Sequence, residues 1–339
     1  MSKPVGIVGF QGYGGAELVR YLHRHPQVHA VLLAHRDTND RPEPLNRLGP
    51  RRTIFSPESL TDVVRSEGLA AVFLATPHDV SMGLTPAILA GGAKVIDLAA
   101  AFRLGTVENY KRWYKEDHTQ PELLKEAVYS VPEFCRDAVH SARLIANPGC
   151  YPTAANLAIK PLIEAQAIDR PHGIVCDAKS GVSGAGRKPS LKTSFCEVTE
   201  NFSAYSILDH RHVPEVLRVS GLDEAEFSFT AQLIPIDRGI LETIYFRATN
   251  AVKSADDLLA IYQAHYAAEP FVRLYAAGQV PDLQAVNHTN FCDIGFKFDA
   301  ATKRAVVVSC IDNLGKGAAG QAIQNMNLAL GFEETAGLL

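Results

Sequence analysis

The sequence predicts an α/β protein: an N-terminal Rossmann-like, doubly wound parallel sheet followed by an α+β catalytic domain with a mixed, largely antiparallel sheet. Three observations carry this expectation. The chain opens as strand, glycine-rich turn and helix in "PVGIVGFQGYGGAELVRYLHR", Pro4 to Arg24. Strand-like and helix-like runs then alternate, the pattern of parallel sheets built from crossovers. The second half is instead dominated by strand-like runs: "GIVCDAK", "EFSFTAQLIP", "ILETIYFRA", "DIGFKFD" and "RAVVVSCI".

In the opening element Gly6, Gly9, Gly12 and Gly15 recur every third residue, and Ala16, Leu18, Val19 and Leu22 supply a helical apolar face. Glycines let the backbone take unusual dihedrals and let a pyrophosphate approach the helix N-terminus. The spacing Gly9-x-x-Gly12-x-x-Gly15 departs from the usual GxGxxG. The next strand, "VHAVLLAHRD" (28–37), ends where an adenosine ribose is read. His35 and Arg36 come before Asp37, which favours NADP because Arg36 can pair with a 2′-phosphate. Two further strands, "AAVFLATP" (70–77) and "AKVIDLA" (93–99), flank a short helix. Their ends place His78 and Arg103 at the ligand-facing edge of the sheet.

The stretch "RLIANPGCYPTAANLAIKPLIEA" (143–165) holds the strongest chemical signal. A short strand meets the turn Asn147-Pro148-Gly149, and Cys150 stands at the start of an amphipathic helix with Ala155, Leu157, Ile159 and Leu162. Free amides and the helix dipole there stabilise a thiolate and lower its pKa. Cys135, Cys176, Cys196, Cys292 and Cys310 are read as structural. A thiolate nucleophile needs an acid/base partner. "YSILDHRHVPEV" (205–216) offers His210 and His212, with Glu215 available to orient an imidazole; the residues alone do not choose between the two. The loop "AKSGVSGAGRKPS" (178–190) brings amides, hydroxyls and Arg187-Lys188, suited to phosphate or carboxylate. "LIPIDRGILETIYF" (233–246) reads strand–turn–strand around Asp237-Arg238-Gly239.

The last element, "VSCIDNLGKGAAGQAIQNMN" (308–327), could pass for a second phosphate cradle. It reads better as the final catalytic strand followed by a helix that returns to the first domain. Ile323, Met326 and Leu330 give that helix an apolar stripe, and Gly331 sits at its C-terminal cap. The expected domains are thus 1–148 with 315–339 for the cofactor, and 149–314 for catalysis and oligomerisation.

Composition sets the outer limits. A chain of 339 residues can bury two cores, and 47% hydrophobic with 21% charged residues is ordinary for a globular protein. A net charge of −4 argues against nucleic-acid or polybasic membrane binding. No signal pattern or membrane-length apolar run is seen. The six cysteines include no CxxC pair, so neither a metal site nor a disulfide framework is expected, and the setting expected is cytoplasmic.

These residues resemble a known family. "GYGGAELVRYLHRHP", "DLAAAFRL", "YSVPEF", "NPGCYPTA", "SGVSGAGRK", "HRHVPEV", "IPIDRGIL", "NFCDIGF" and "IDNLGKGAAGQAIQNMN" are similar to stretches of the N-acetyl-γ-glutamyl-phosphate reductases. These are NADPH-dependent enzymes of arginine biosynthesis within the semialdehyde dehydrogenase superfamily. The pairing of "NPGCYPT" with "HRHVPE" is the specific part, and the likeness runs over nearly the whole chain. It implies attack of Cys150 on an acyl phosphate, a thioester, and hydride delivery from NADPH to give the semialdehyde. His212 or His210 would be the acid/base, with His212 preferred.

The cofactor residues implied are Gly9, Gly12, Tyr13, Gly14, Gly15, Arg36, Pro77, Ser180, Gly181, Asn313 and Lys316. Asn313 would approach the nicotinamide amide, and Lys316 would lie near the cofactor or hold the loop. Substrate candidates are Arg103, Asn147, Ser183, Arg187, Arg211, Glu215 and Arg238. The expected partner is a small-molecule acyl phosphate, with no metal and a homo-oligomer, dimer or tetramer.

The chain departs from the family pattern in three places. Ala101 replaces the acidic residue of "DLSADFRL", Phe10-Gln11 replaces Ala-Ser, and His35 precedes Arg36 where Ser is common. The alternatives are aspartate-semialdehyde dehydrogenase, a related N-acyl-aminoadipyl- or glutamyl-phosphate reductase, a cysteine acyltransferase or hydrolase, and a nucleotide sensor without turnover.

Overall fold

The computed structural model describes residues 2–35 and 49–339, arranged as two compact units: Met1–Pro148 with Ala319–Leu339, and Gly149–Ala318. Each is built around a seven-stranded sheet.

In the first unit the apolar strand β1 (Lys3–Val8) ends at Gly9, whose φ is +82°. A Cβ there would stand 2.2 Å from the Ala75 carbonyl oxygen, so the turn admits only glycine. Helix α1 (Tyr13–Arg24) follows. It buries Gly15, Leu18, Tyr21 and Leu22 as a helical face, but Ala16, expected on that face, is exposed and Glu17 is buried instead. Ion pairing with Arg20 is what allows the Glu17 carboxylate inside.

The chain continues through β2 (Val28–Ala34), β3 (Arg51–Ile54), α2 (Leu60–Ser66), β4 (Ala71–Leu74), α3 (His78–Ala90) and β5 (Lys94–Asp97). Then come α4 (Val107–Tyr114), α5 (Pro121–Glu126), β6 (Val128–Tyr129), α6 (Pro132–Ser141) and β7 (Leu144–Ala146). The order is β3-β2-β1-β4-β5-β7-β6 and every pair is parallel. Strand β3 escapes the sequence pattern because "RRTI" is short and charged, which suits an edge strand.

The second unit starts with α7 (Cys150–Glu164) and β8 (Ile174–Ser180), then α8 (Phe195–Val198), β9 (Ser203–Tyr205) and α9 (Val213–Ser220). Strands β10 (Phe227–Leu233) and β11 (Ile240–Arg247), helix α10 (Ala255–Tyr266), and β12 (Val272–Leu274), β13 (Cys292–Asp299) and β14 (Arg304–Ile311) complete it. Helix α7 is not amphipathic as expected: Tyr151 to Ile159 are buried without a break, so it runs through the core. Pro161 lacks an amide, which leaves the Leu157 carbonyl without its helical donor; the Tyr266 hydroxyl of α10 supplies one at 2.7 Å.

The sheet order is β12-β13-β14-β11-β8-β10-β9. The pairs β8/β10 and β12/β13 are parallel and the other four are antiparallel. Strands β10 and β11, which flank Asp237–Gly239, are not partners, since β8 lies between them.

Helix α11 (Gly320–Leu330) belongs to the first unit and is capped by Gly331 at φ +72°. Ile323 and Met326 are fully buried, but so are Gln321, Gln324, Asn325 and Asn327, so a single apolar stripe underdescribes it. Its amides are tolerated inside because they are bonded. Asn325 Nδ2 donates to Asn147 Oδ1 at 3.0 Å, and Asn327 Nδ2 to the carbonyls of Glu334 and Ala336, also at 3.0 Å.

On the buried face of β11, Glu242 has no exposed surface and Cys176 Sγ lies 3.6 Å from its Oε2. Burial, the largest cause, pushes the Glu242 carboxyl well above its usual 4.5. The folded chain therefore holds a proton that the unfolded chain releases, so this group's stabilisation is complete below about pH 4.5 and is lost as pH rises. Glu242→Gln should flatten that decline: urea unfolding at pH 5 and 8 should show a smaller drop than in the parent. Equal drops would refute the burial argument.

Candidate active site

The second unit brings together the residues around Cys150. This cysteine is partly exposed and is the first residue of α7, with extended Gly149 as N-cap and no side chain capping the helix. Negative charge is favoured at such an end. The carboxylate of Glu215, fully buried on α9, accepts the Gly149 N–H at 2.9 Å. Gly149 also makes room for a histidine: a Cβ there would lie 2.6 Å from His212 Nε2. The Tyr151 ring faces His212 edge-on at 5.9 Å, so the imidazole lies against both chain neighbours of Cys150.

The two histidines differ in setting. His210 Nδ1 accepts the backbone N–H of His212 at 3.1 Å, and its ring packs against Tyr151, Tyr205 and Phe229. Burial, and then the Arg211 charge, lower its pKa to about 4.

Three loops close around this region. Val182 and Ser183 N–H groups donate to the carbonyls of Ile236 and Asp237, and Gly181 N–H to that of Gly239. Asn313 Oδ1 accepts the Gly239 N–H at 2.8 Å while its Nδ2 donates to Ser183 Oγ at 3.0 Å. A Cβ on Gly181 would lie 2.6 Å from the Asp237 carbonyl oxygen, and one on Gly317 would lie 2.8 Å from Cys150 Cβ.

Asp312, which no sequence pattern marks, is fully buried and holds this arrangement. Its buried carboxylate accepts from the N–H groups of His288, Leu314 and Gly315 and pairs with Arg238 Nε at 3.1 Å. Arg238 also reaches His288 Nδ1 at 2.9 Å, so its guanidinium is engaged by the loop itself. Lys316 has no exposed surface and its ammonium lies 5.7 Å from the centroid of the Phe271 ring. Ser180 is buried at the end of β8, whereas Arg187 and Arg211 are exposed.

The remaining candidates lie in the first unit. Gly9, Gly12, Tyr13, Gly14 and Gly15 form the turn into α1, which carries neither a side-chain cap nor an acidic residue in its first turn. A Cβ on Gly15 would lie 2.3 Å from the Gly9 carbonyl oxygen. A tight, uncapped helix entrance of this kind fits the pyrophosphate of a dinucleotide. Pro77 is the N-cap of α3, and Asn147 is held by Asn325. Arg36 lies outside the described residues.

Arg103 is buried, and its Nη2 donates to the Leu98 carbonyl at 2.8 Å. With Ala101 in place of an acid, the opposing charge comes from Asp97 at the end of β5. Burial raises that carboxyl to about 6, against the pull of its Ser81 bond and of Arg103. Nothing in "VIDLA" marks Asp97 in advance, since its role depends on a neighbour six residues on. Among the described residues no cluster of His, Cys, Asp and Glu could hold a metal, and no helix is long and apolar enough to cross a membrane.

A parallel sheet with a glycine-rich helix entrance, joined to a second unit with a mixed sheet, defines the class of nicotinamide-dependent oxidoreductases. Two family models match: "Semialdehyde dehydrogenase, NAD binding domain" over residues 4–142 and "Semialdehyde dehydrogenase, dimerisation domain" over 150–313. N-acetyl-gamma-glutamyl-phosphate reductase of Symbiobacterium thermophilum is 46% identical, covering all of this chain and 98% of the relative. Those of Desulforudis audaxviator and Methanopyrus kandleri are 47% and 46% identical over 99% and 98% of the chain, covering 97% of each relative. The chain belongs to the N-acetyl-gamma-glutamyl-phosphate reductases, within the semialdehyde dehydrogenase family.

Solved structures support the fold. Aspartate semialdehyde dehydrogenase II of Vibrio cholerae, complexed with ASA, gives a TM-score of 0.72 at 17% identity over 97% of this chain and 98% of that one. The Candida albicans aspartate semialdehyde dehydrogenase with NADP gives 0.70 at 16% over the same shares.

Gly149→Ala tests the packing around Cys150. The added methyl should displace the His212 ring while α7 still forms, since alanine suits a helix entrance poorly but not prohibitively. Turnover should fall by about 10²-fold, the usual effect of a misplacement near 1 Å, with an unchanged circular dichroism spectrum. Retained turnover would show that the ring has no fixed position there.

Proposed function

We propose that the protein reduces N-acetyl-γ-glutamyl phosphate to N-acetyl-glutamate 5-semialdehyde and phosphate with NADPH, through a thioester on Cys150. The observation that carries this reading is the imidazole of His212 held against Gly149 and Tyr151, the two neighbours of Cys150. His212 takes the thiol proton as Cys150 Sγ attacks the acyl carbonyl; the carbonyl carbon's C–O bond to phosphate then breaks, and phosphate leaves with the bonding pair. Bound NADPH supplies the hydride that the thioester carbonyl then accepts. The α7 entrance, where amides point outward, stabilises the oxyanion formed at each addition. His212 returns a proton to sulfur as the semialdehyde departs. Glu215 serves as a positioning residue through its bond to Gly149.

His212 fits the acid/base role better than His210. The His210 ring spends Nδ1 on its own loop, and with a pKa of about 4 it is neutral throughout the physiological range. His212→Asn should cost about 10²–10⁴-fold in rate. His210→Asn should leave the pH profile of kcat/KM unshifted. A pH profile shifted by the His210 substitution would reverse the assignment.

NADP is preferred to NAD on the expected ion pair from Arg36, and the Candida albicans relative was solved with NADP. A homo-oligomer is inferred from the uncovered face of the second sheet, where Val175 and Tyr245 are 45% and 44% exposed. A cytoplasmic setting suits a chain in which none of the six cysteines is in a disulfide. The assay that decides the reaction runs it backwards: NADP reduction should need both N-acetyl-glutamate semialdehyde and phosphate, and vanish in Cys150→Ser. Reduction with aspartate semialdehyde instead, or without phosphate, would sink the reading.

A further inference from the structure

The first unit has a cleft of about 270 Å³ outside the carboxyl ends of its strands. Its lining comes from the turn after β1 (Gly9, Phe10 and Gln11), the end of β2 (Leu33 to His35), Thr76 and Arg52 of β3. Strand β1 lies between β2 and β4, so the strand order reverses beside it, and dinucleotides bind at such a switch point. The adenosine ribose then belongs at the end of β2.

We propose that Arg52 binds the 2′-phosphate of NADP, as a second cation besides the expected Arg36; this rests on the NADP reading above and adds a contact from β3 to it. Alternation along β3 decides where the guanidinium points. Arg51 pairs with Glu67 at 2.9 Å, and Thr53 Oγ1 bonds the same carboxylate at 3.1 Å, so these two residues share a face. Arg52 lies on the opposite face, lines the cleft, and sits 5.7 Å from the centroid of the Phe10 ring.

Phe10 gives the cleft an apolar plane, and Arg52 places a cation beside it. The charge in the lining is the second argument. An NADP site needs a cation for the 2′-phosphate, and the lining holds Arg52 together with His35. Glu58, whose charge reaches His35, is fully exposed and does not line the cleft. A guanidinium suits a phosphate because its planar donors can engage two oxygens at once.

The test separates the 2′-phosphate from the rest of the nucleotide. Isothermal titration of the full chain with adenosine 2′,5′-bisphosphate and with 5′-AMP needs no turnover. Arg52→Ala should weaken the bisphosphate by about 10-fold or more, as expected for a lost charge-assisted bond. Its affinity for 5′-AMP should stay within about 2-fold of the parent, because only the 2′ contact is removed. Arg52→Lys should recover part of the loss, and KM should rise for NADPH but not for NADH. Equal weakening of both ligands would make Arg52 a packing residue of the cleft and overturn the proposal, as would no change in either. If the parent itself binds both equally, the NADP reading fails, and the proposal with it. A parent that prefers the bisphosphate while Arg52→Ala keeps that preference sinks the proposal alone.

Discussion

The second unit is organised around a buried carboxylate. Asp312 has no exposed surface, and a charge placed there without partners would cost several kcal/mol. It is compensated by Arg238 and by three backbone N–H groups drawn from His288, Leu314 and Gly315. Those bonds tie three separated stretches of chain to one point. Asn313, next in sequence, extends the tie to Gly239 and Ser183. Gly317 donates to the Asp312 carbonyl and passes against Cys150. The position of the backbone beside Cys150 thus follows from a charge that had to be satisfied. Arg238, which sequence alone offers as an anion ligand, is part of that compensation.

Local chemistry was legible in the sequence and tertiary compensation was not. The turn at Gly9 and the helix start at Cys150 depend on residues within a few positions, so their patterns survive in a string of letters. The choice between His210 and His212 does not. It turns on which ring is desolvated and which nitrogen is spent on a backbone amide, and both depend on Tyr151, Tyr205 and Phe229 arriving from elsewhere. Helices α7 and α11 misled for a related reason. Polar amides read as a solvent face, yet Asn325 and Asn327 are inside and bonded. Polarity marks exposure only when no partner waits in the interior. Arg52 was hidden because a four-residue charged edge strand has no periodicity to detect.

The two glycine-rich loops show how one composition answers two physical demands. At the N-terminal loop Gly9 takes a positive φ, and the chain enters a twelve-residue helix whose first turn has no side-chain cap. Its amides remain available to an anion. At the C-terminal loop neither Gly315 nor Gly317 has a positive φ among the described residues. Each is glycine for lack of room: a Cβ on Gly315 would stand 2.1 Å from the Thr289 carbonyl oxygen, and one on Gly317 2.8 Å from Cys150 Cβ.

The amides of the C-terminal loop are also consumed at home. Gly315 donates to the Asp312 carboxylate and Gly317 to the Asp312 carbonyl. A phosphate arriving at that loop would have to displace a buried, ion-paired aspartate to find donors. The residues from Gly315 to Ala319 wind as a π-turn before α11 begins, so the loop does not present an ordinary helix start. Glycine spacing therefore says that a backbone must come close to something. Where the freed amides point decides whether that something is a phosphate or another part of the chain.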